Sequence, residues 1–99
     1  MDTSDKHDHG THVAGSIAAK QDNEIGIAGV AHNIEIMALR TVPNTSDELD
    51  VDVIEAFIYA AKNGASIINC SFGKDENEGG QAVSEAINYI YEELSLIHI

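Results

Sequence analysis

Apolar residues cluster in five segments of this chain, and the first two predict a helix followed by a strand. Residues 11–19 (THVAGSIAA) are small and apolar, which predicts a buried helix, because alanine favours helices and Gly15 permits close packing. The loop QDNEIGIAG follows at residues 21–29. Residues 34–42 (IEIMALRTV) are largely apolar and stop at Pro43, a pattern typical of a strand in a parallel sheet covered on both faces.

The other three segments predict a helix, a strand and a helix. In residues 52–63 apolar side chains recur at helical spacing, and Asn63 and Gly64 supply the stop. Residues 65–72 (ASIINCSF) are short and rich in β-branched side chains, which predicts a second buried strand. The last segment, residues 83–94, carries one apolar helical stripe. Its members are Val83, Ala86, Ile87, Ile90, Tyr91 and Leu94.

This order of elements predicts an α/β fold. Two strands joined through a helix form a right-handed crossover, which gives a parallel sheet with helices on its faces. A sheet of only two strands would expose an unpaired edge on each side. We therefore expect residues 1–99 to be one partial domain, completed by a missing remainder.

Composition narrows the range of partners. The 99 residues include 17 acidic and 5 basic ones, for a formal net charge of -12, which argues against a nucleic acid or a membrane as partner and leaves hard cations as candidates. The single cysteine, Cys70, rules out an internal disulfide. The polar opening MDTSDKHDHG predicts no signal peptide, and the chain lacks the run of about 18 apolar residues that spans a membrane.

Three histidines stand at the start of the first predicted helix. His9 lies at its amino end, where the helix dipole disfavours a protonated ring and so keeps the imidazole available as a base. One alternative is a metal site built from His7, His9, His12 and Asp8, although no HExxH pattern or cysteine pair accompanies it. The other alternative is that His9 has a purely structural role.

The stretch HGTHVAGSIAA at residues 9–19 resembles the histidine motif of the subtilisin-like serine proteases, the subtilases. The elements after it also follow in the order of that family. The resemblance is close over residues 9–73 and looser to 93. It implies a three-layer α/β/α parallel-sheet domain that hydrolyses peptide bonds, with a peptide or protein as substrate and an exported or extracellular location.

The resemblance also implies roles for single residues. His9 would be the general base that takes a proton from a serine hydroxyl and returns it to the leaving amine. His12, one turn further, would be structural and mostly buried, and His7, outside the motif, is expected to be solvated. Ser71, Phe72 and Gly73 would pair with the substrate backbone as an added strand, or would simply end a strand.

Residues 22–27 resemble the family's calcium-binding loop. There, one Asn or Asp side chain and several backbone carbonyls hold the cation, which gives Asp22, Asn23, Ile25 and Ile27 as candidate ligands for a structural calcium ion. The loop is one residue longer than its common form, so the choice between Asp22 and Asn23 stays open. An ordinary acidic turn at Gly26 is the alternative.

The chain also departs from the family pattern. No GxSxA stretch is present, so the nucleophilic serine is missing, and Asp2 lies too close to His9 to be the triad aspartate. Asn69, in a predicted buried strand, does not match the oxyanion asparagine. Cys70, which with His9 would make a thiol protease, is interpreted as a small buried side chain.

Together these features predict an inactive piece of a serine endopeptidase domain, with residues 95–99 as a short non-native tail. A non-enzymatic fragment that binds calcium or peptides is the alternative.

Overall fold

The computed structural model describes residues 4–41, 49–72, 80–94 and 97–98. The chain divides into two compact units, Met1–Ala38 and Leu39–Ile99, called here the N-terminal and the C-terminal unit. The elements in chain order are α1 (His9–Ala18), α2 (Asp50–Lys62), β1 (Ile67–Ile68), α3 (Gln81–Leu94) and β2 (Ile97–His98). No helix in the described ranges has the length and apolar character needed to cross a bilayer.

The first predicted helix is present as α1, but the prediction that it is buried was wrong. It begins at His9, earlier than expected, and none of its residues is buried. Its side chains are mostly small, so each buries little apolar area even where a neighbour approaches. Within the N-terminal unit the hydrogen bonds from the following loop reach only the carboxyl-terminal part of the helix.

That loop returns to the end of α1 and satisfies carbonyls that a helix terminus leaves unpaired. Three backbone N–H groups donate to it: Gly29 to the Ala19 carbonyl at 3.0 Å, Val30 to Ser16 at 3.1 Å and Ala31 to Ile17 at 2.9 Å. Gln21 adds a side-chain bond, from Nε2 to the Gly29 carbonyl at 2.8 Å. Gly29 is therefore buried against backbone, and a Cβ at this position would lie 2.4 Å from the Ala19 nitrogen.

Replacing Gly29 with alanine is expected to separate the loop that follows α1 from the end of that helix. The added methyl would collide with backbone atoms of Ala18 and Ala19, which cannot rotate away as a side chain can, so a cost of about 1–3 kcal/mol is expected. In the Gly29→Ala variant, amide hydrogen exchange at position 29 and at Val30 should accelerate. The matched control is Gly15→Ala inside α1. There an added Cβ would meet no atom within 4 Å outside the helix's own backbone, and alanine should stabilise the helix by roughly 0.5–1 kcal/mol. Equal, small effects of the two substitutions would contradict the close approach.

The predicted strand at residues 34–42 was wrong. Residues 34–41 contain no strand, and Val42 lies outside the described residues. Ile34, Ile36 and Met37 are exposed, although a strand in a covered sheet would bury such side chains. A strand forms only where a neighbouring backbone completes its hydrogen bonds, and in the described part of the chain the sheet consists of β1 and β2.

The two helices of the C-terminal unit confirm their predictions and form its core. Val53 and Phe57 on α2 pack with Ala86 and Ile90 on α3, and each pair is spaced by four residues so that both members share one helix face. Around this core lie the partly buried Ile54, Ala61, Ala65, Ile68, Cys70, Val83 and Ile87. Tyr91, predicted on the buried stripe, is 61% exposed, so that placement was wrong. The Leu94 side chain lies outside the described residues.

The second predicted strand forms, but only as the two-residue β1, and Ile67 within it is exposed rather than buried. It pairs in parallel with β2, with Ile67 opposite Ile97 and Ile68 opposite His98. The helix between the paired strands is thus α3, where the sequence suggested α2. The predicted tail at 95–99 includes β2, and its non-native origin stays a prediction.

Candidate functional site

His9 is the first residue of α1 and is exposed. Before it, Asp8 adopts the left-handed conformation, with φ 71° and ψ −11°, and its side chain makes no capping hydrogen bond. The Asp8 carbonyl accepts the first helical bond, from the His12 N–H at 3.0 Å. The imidazole of His9 therefore stands at the amino end of the helix, as the sequence predicted, and it is open to solvent.

Asp5 takes the capping role that Asp8 does not fill. Its Oδ2 accepts hydrogen bonds from the Thr11 N–H at 2.8 Å and the Thr11 hydroxyl at 2.7 Å. Its Oδ1 accepts from the N–H groups of His7 at 2.9 Å and Asp8 at 2.8 Å. These donors, the Thr11 hydroxyl first, stabilise the carboxylate and hold the pKa of Asp5 well below its usual range.

Sequence reasoning missed Asp5. A cap is expected directly before a helix, and Asp8 occupies that place, whereas Asp5 reaches the helix only because the chain turns between them. Two acidic residues close to a helix start were the available signal, but they could not show which one the turn would bring into position.

His7 and His12, the other two histidines of this segment, are exposed. This confirms the expectation that His7 is solvated. It contradicts the expectation that His12 is mostly buried, because α1 has no buried face in the N-terminal unit. Across the part of the chain that the structure describes, no three His, Cys, Asp or Glu side chains come together to hold a metal ion.

The candidate calcium loop has an irregular backbone. Asp22, Glu24 and Gly26 all have positive φ, at 55°, 61° and 64°. Asn23 Oδ1 accepts a hydrogen bond from the Ile25 N–H at 3.3 Å, so this side-chain oxygen faces the loop backbone. The donor set fits a hard cation, since it consists of amide, carboxylate and carbonyl oxygens. If calcium binds here, Asn23 or Asp22 would hold it with the carbonyls of Ile25 and Ile27.

The candidate substrate-binding residues follow β1 in the C-terminal unit. Ser71 and Phe72 are exposed, while Gly73 lies outside the described residues. Asn69 is exposed too, contrary to the prediction of a buried strand position, and its Nδ2 donates to Ser71 Oγ at 2.8 Å. This hydrogen bond orients the Ser71 side chain.

Cys70 lies between these exposed residues but points toward the core. It is partly buried and packs against the α2–α3 cluster, and this burial raises the pKa of its thiol. A neutral thiol is a poor nucleophile. The interpretation of Cys70 as a packing residue is therefore favoured over a thiol protease.

Comparison with known proteins bears on the whole chain. The model of the subtilase family matches residues 1–98. The thermophilic serine proteinase of Bacillus sp. (strain AK1) is 40% identical over 96 residues, which cover 97% of this chain and 23% of that protein. Thermitase of Thermoactinomyces vulgaris is 36% identical over 89 residues, 90% of this chain and 31% of that protein.

Subtilisin DY of Bacillus licheniformis is 33% identical over 87 residues, 88% of this chain and 31% of that protein. The matched part of the chain thus spans between 23% and 31% of the length of these relatives. No solved structure matches the chain. The family match and these relatives confirm the resemblance carried by HGTHVAGSIAA: the chain belongs to the subtilase family.

Proposed function

We propose that this chain supplies the histidine-bearing part of a subtilase serine endopeptidase, with His9 as its general base. The observation that carries the proposal is the exposed imidazole of His9 at the first position of α1, within the family motif. The ring would accept the proton of a serine hydroxyl as that oxygen attacks the peptide carbonyl. It would then return the proton to the departing amine.

The segment after β1 is proposed to hold the substrate. Ser71 and Phe72 are exposed shortly after β1, which ends at Ile68. A peptide in extended conformation could add its backbone to theirs, and Gly73 is proposed to continue that contact. The substrates are therefore peptides or proteins.

The 99-residue chain by itself is proposed to be inactive. Its sequence contains no GxSxA stretch to supply a nucleophilic serine, and removing that serine from such a triad costs on the order of 10⁶ in turnover. By family resemblance, the complete enzyme is proposed to act outside the cell.

A hybrid enzyme tests this function. Residues 5–73 would replace the aligned segment of the serine proteinase from Bacillus sp. (strain AK1), which supplies the rest of the domain. Peptide hydrolysis that depends on His9 supports the proposal, with the free chain as negative control. A folded hybrid without hydrolysis, or labelling of the free chain by a serine-directed phosphonate, would contradict it.

Calcium binding at residues 22–27 is a second candidate function, supported by the resemblance of this segment to the family's calcium-binding loop and by the oxygen donors it contains. Calcium is expected to raise the thermal unfolding midpoint of the chain, because an ion that binds only the folded state stabilises it by about 2.7 kcal/mol at 100 times its Kd. Asn23→Ala should abolish the shift and Glu24→Gln should retain it. If calcium does not raise the midpoint of the unsubstituted chain, the site is absent. If only Asp22→Ala loses the shift, Asp22 rather than Asn23 is the side-chain ligand.

A further inference from the structure

The carboxylate of Asp5 accepts hydrogen bonds from backbone groups on both sides of His9. Oδ1 binds the N–H groups of His7 and Asp8, which precede it, and Oδ2 binds the N–H and hydroxyl of Thr11, which follows it. We propose that Asp5 is a positioning residue, which fixes the first turn of α1 and thereby the place of the His9 imidazole. The relevance of this imidazole position to catalysis rests on the proposed function of His9.

Only a carboxylate meets the demands of this position. Four donors converge on two oxygens, and each oxygen accepts two of them. Asparagine has one acceptor oxygen, and its NH₂ group would face two donors where Asp5 presents an acceptor. Glutamate keeps both oxygens on a stem longer by one methylene. The Asp5→Asn variant should therefore lose the arrangement, and Asp5→Glu should retain part of it.

Asp8, the other acidic residue before the helix, does not replace the carboxylate. The Asp8 side chain makes no capping bond, and Asp8 itself adopts a left-handed backbone conformation, with φ 71°. Such a conformation is unfavourable for a residue with a Cβ and persists where surrounding contacts hold it. The Asp5 bond to the Asp8 N–H is one such contact.

The test is nuclear magnetic resonance of the 99-residue chain and its variants. In the unsubstituted chain we expect a nuclear Overhauser effect between His9 Hα and the His12 N–H, the mark of a helical first turn, and slow hydrogen exchange at Thr11. Asp5→Asn should weaken the first signal and speed Thr11 exchange roughly fivefold, the ratio that loss of a typical helix cap produces. The corresponding contact between Ala14 and Ile17, later in α1, should persist.

Two further variants make the result specific. Asp8→Asn changes the charge by the same amount three residues away and should leave the first turn unchanged, because the Asp8 side chain makes no capping bond. Asp5→Glu should retain part of the Thr11 protection. An Asp5→Asn spectrum identical to that of the unsubstituted chain overturns the inference, and so does equal loosening by Asp8→Asn, which would indicate a general effect of charge.

If Asp5→Asn unfolds the whole of α1, the same signals are measured in Thr11→Val, which removes only the hydroxyl donor to Asp5. Loosening confined to the first turn supports the inference, and an unchanged turn overturns it. These signals do not depend on hydrolysis. An inactive hybrid enzyme would thus count against the role of His9 while leaving the role of Asp5 in the helix intact, and an unchanged Asp5→Asn turn would do the reverse.

Discussion

Replacing His9 with alanine in the hybrid enzyme is expected to lower kcat by about 10⁶, close to the loss seen when a whole catalytic triad is removed. The reason is that triad members act as a unit: without the base, the serine hydroxyl keeps its proton and does not attack. KM should change little, because the proposed role of His9 is to move a proton in the chemical step and not to hold the substrate. Steady-state kinetics on a peptide substrate gives both quantities.

The matched control is His7→Ala, which removes an exposed imidazole two residues away. His7 contributes its backbone N–H to Asp5, and that contact survives the substitution. Its kcat should therefore stay within a few-fold of the unsubstituted hybrid. If His7→Ala and His9→Ala impair turnover equally, or if His12→Ala is the variant that abolishes it, the assignment of His9 is wrong.

The second large effect is expected in the core of the C-terminal unit. Ile90 is 0% exposed and packs with Val53, Phe57 and Ala86 between the two helices. Ile90→Ala would remove three carbon atoms from a fully enclosed site, and such substitutions lower the free energy of unfolding by about 2–5 kcal/mol. That loss is a large share of the stability of a small domain, which is about 5–15 kcal/mol. Urea unfolding followed by circular dichroism measures it.

Two comparisons decide whether enclosure is the cause. Ile90→Val deletes one methyl group and should cost about 0.5–1.5 kcal/mol. Tyr91→Ala deletes more atoms from the adjacent residue, yet Tyr91 is 61% exposed, so its effect should be small. A Tyr91→Ala variant as unstable as Ile90→Ala would contradict the packing described between α2 and α3.

The three helices were predictable because a helix depends on local sequence. Its hydrogen bonds join residues four apart, so the spacing of apolar residues in 52–63 and 83–94 and the small residues of 11–19 were sufficient. The His9 motif was equally accessible, since its residues are contiguous. Burial was harder to predict from the sequence, which did not reveal that the side chains of Tyr91 and His12 are exposed.

The strands show the limit of that reasoning. Residues 34–42 have a stronger apolar pattern than 97–98, yet the latter pair with β1. The apolar pattern identifies segments that could adopt the extended conformation of a strand. It does not show whether a neighbouring backbone is present to complete the hydrogen bonds that a strand requires.

The sequence by itself determined the family, the histidine that carries the proposed chemistry, and the existence of α1, α2 and α3. Only the tertiary structure decided that Asp5 rather than Asp8 caps α1, that Gly29 lies against its far end, and that β1 pairs with β2. The physical reason is the range of the interactions. Helix formation and motif identity are determined by neighbours in sequence, whereas capping across a turn, backbone approach and strand pairing depend on where the folded chain brings distant groups.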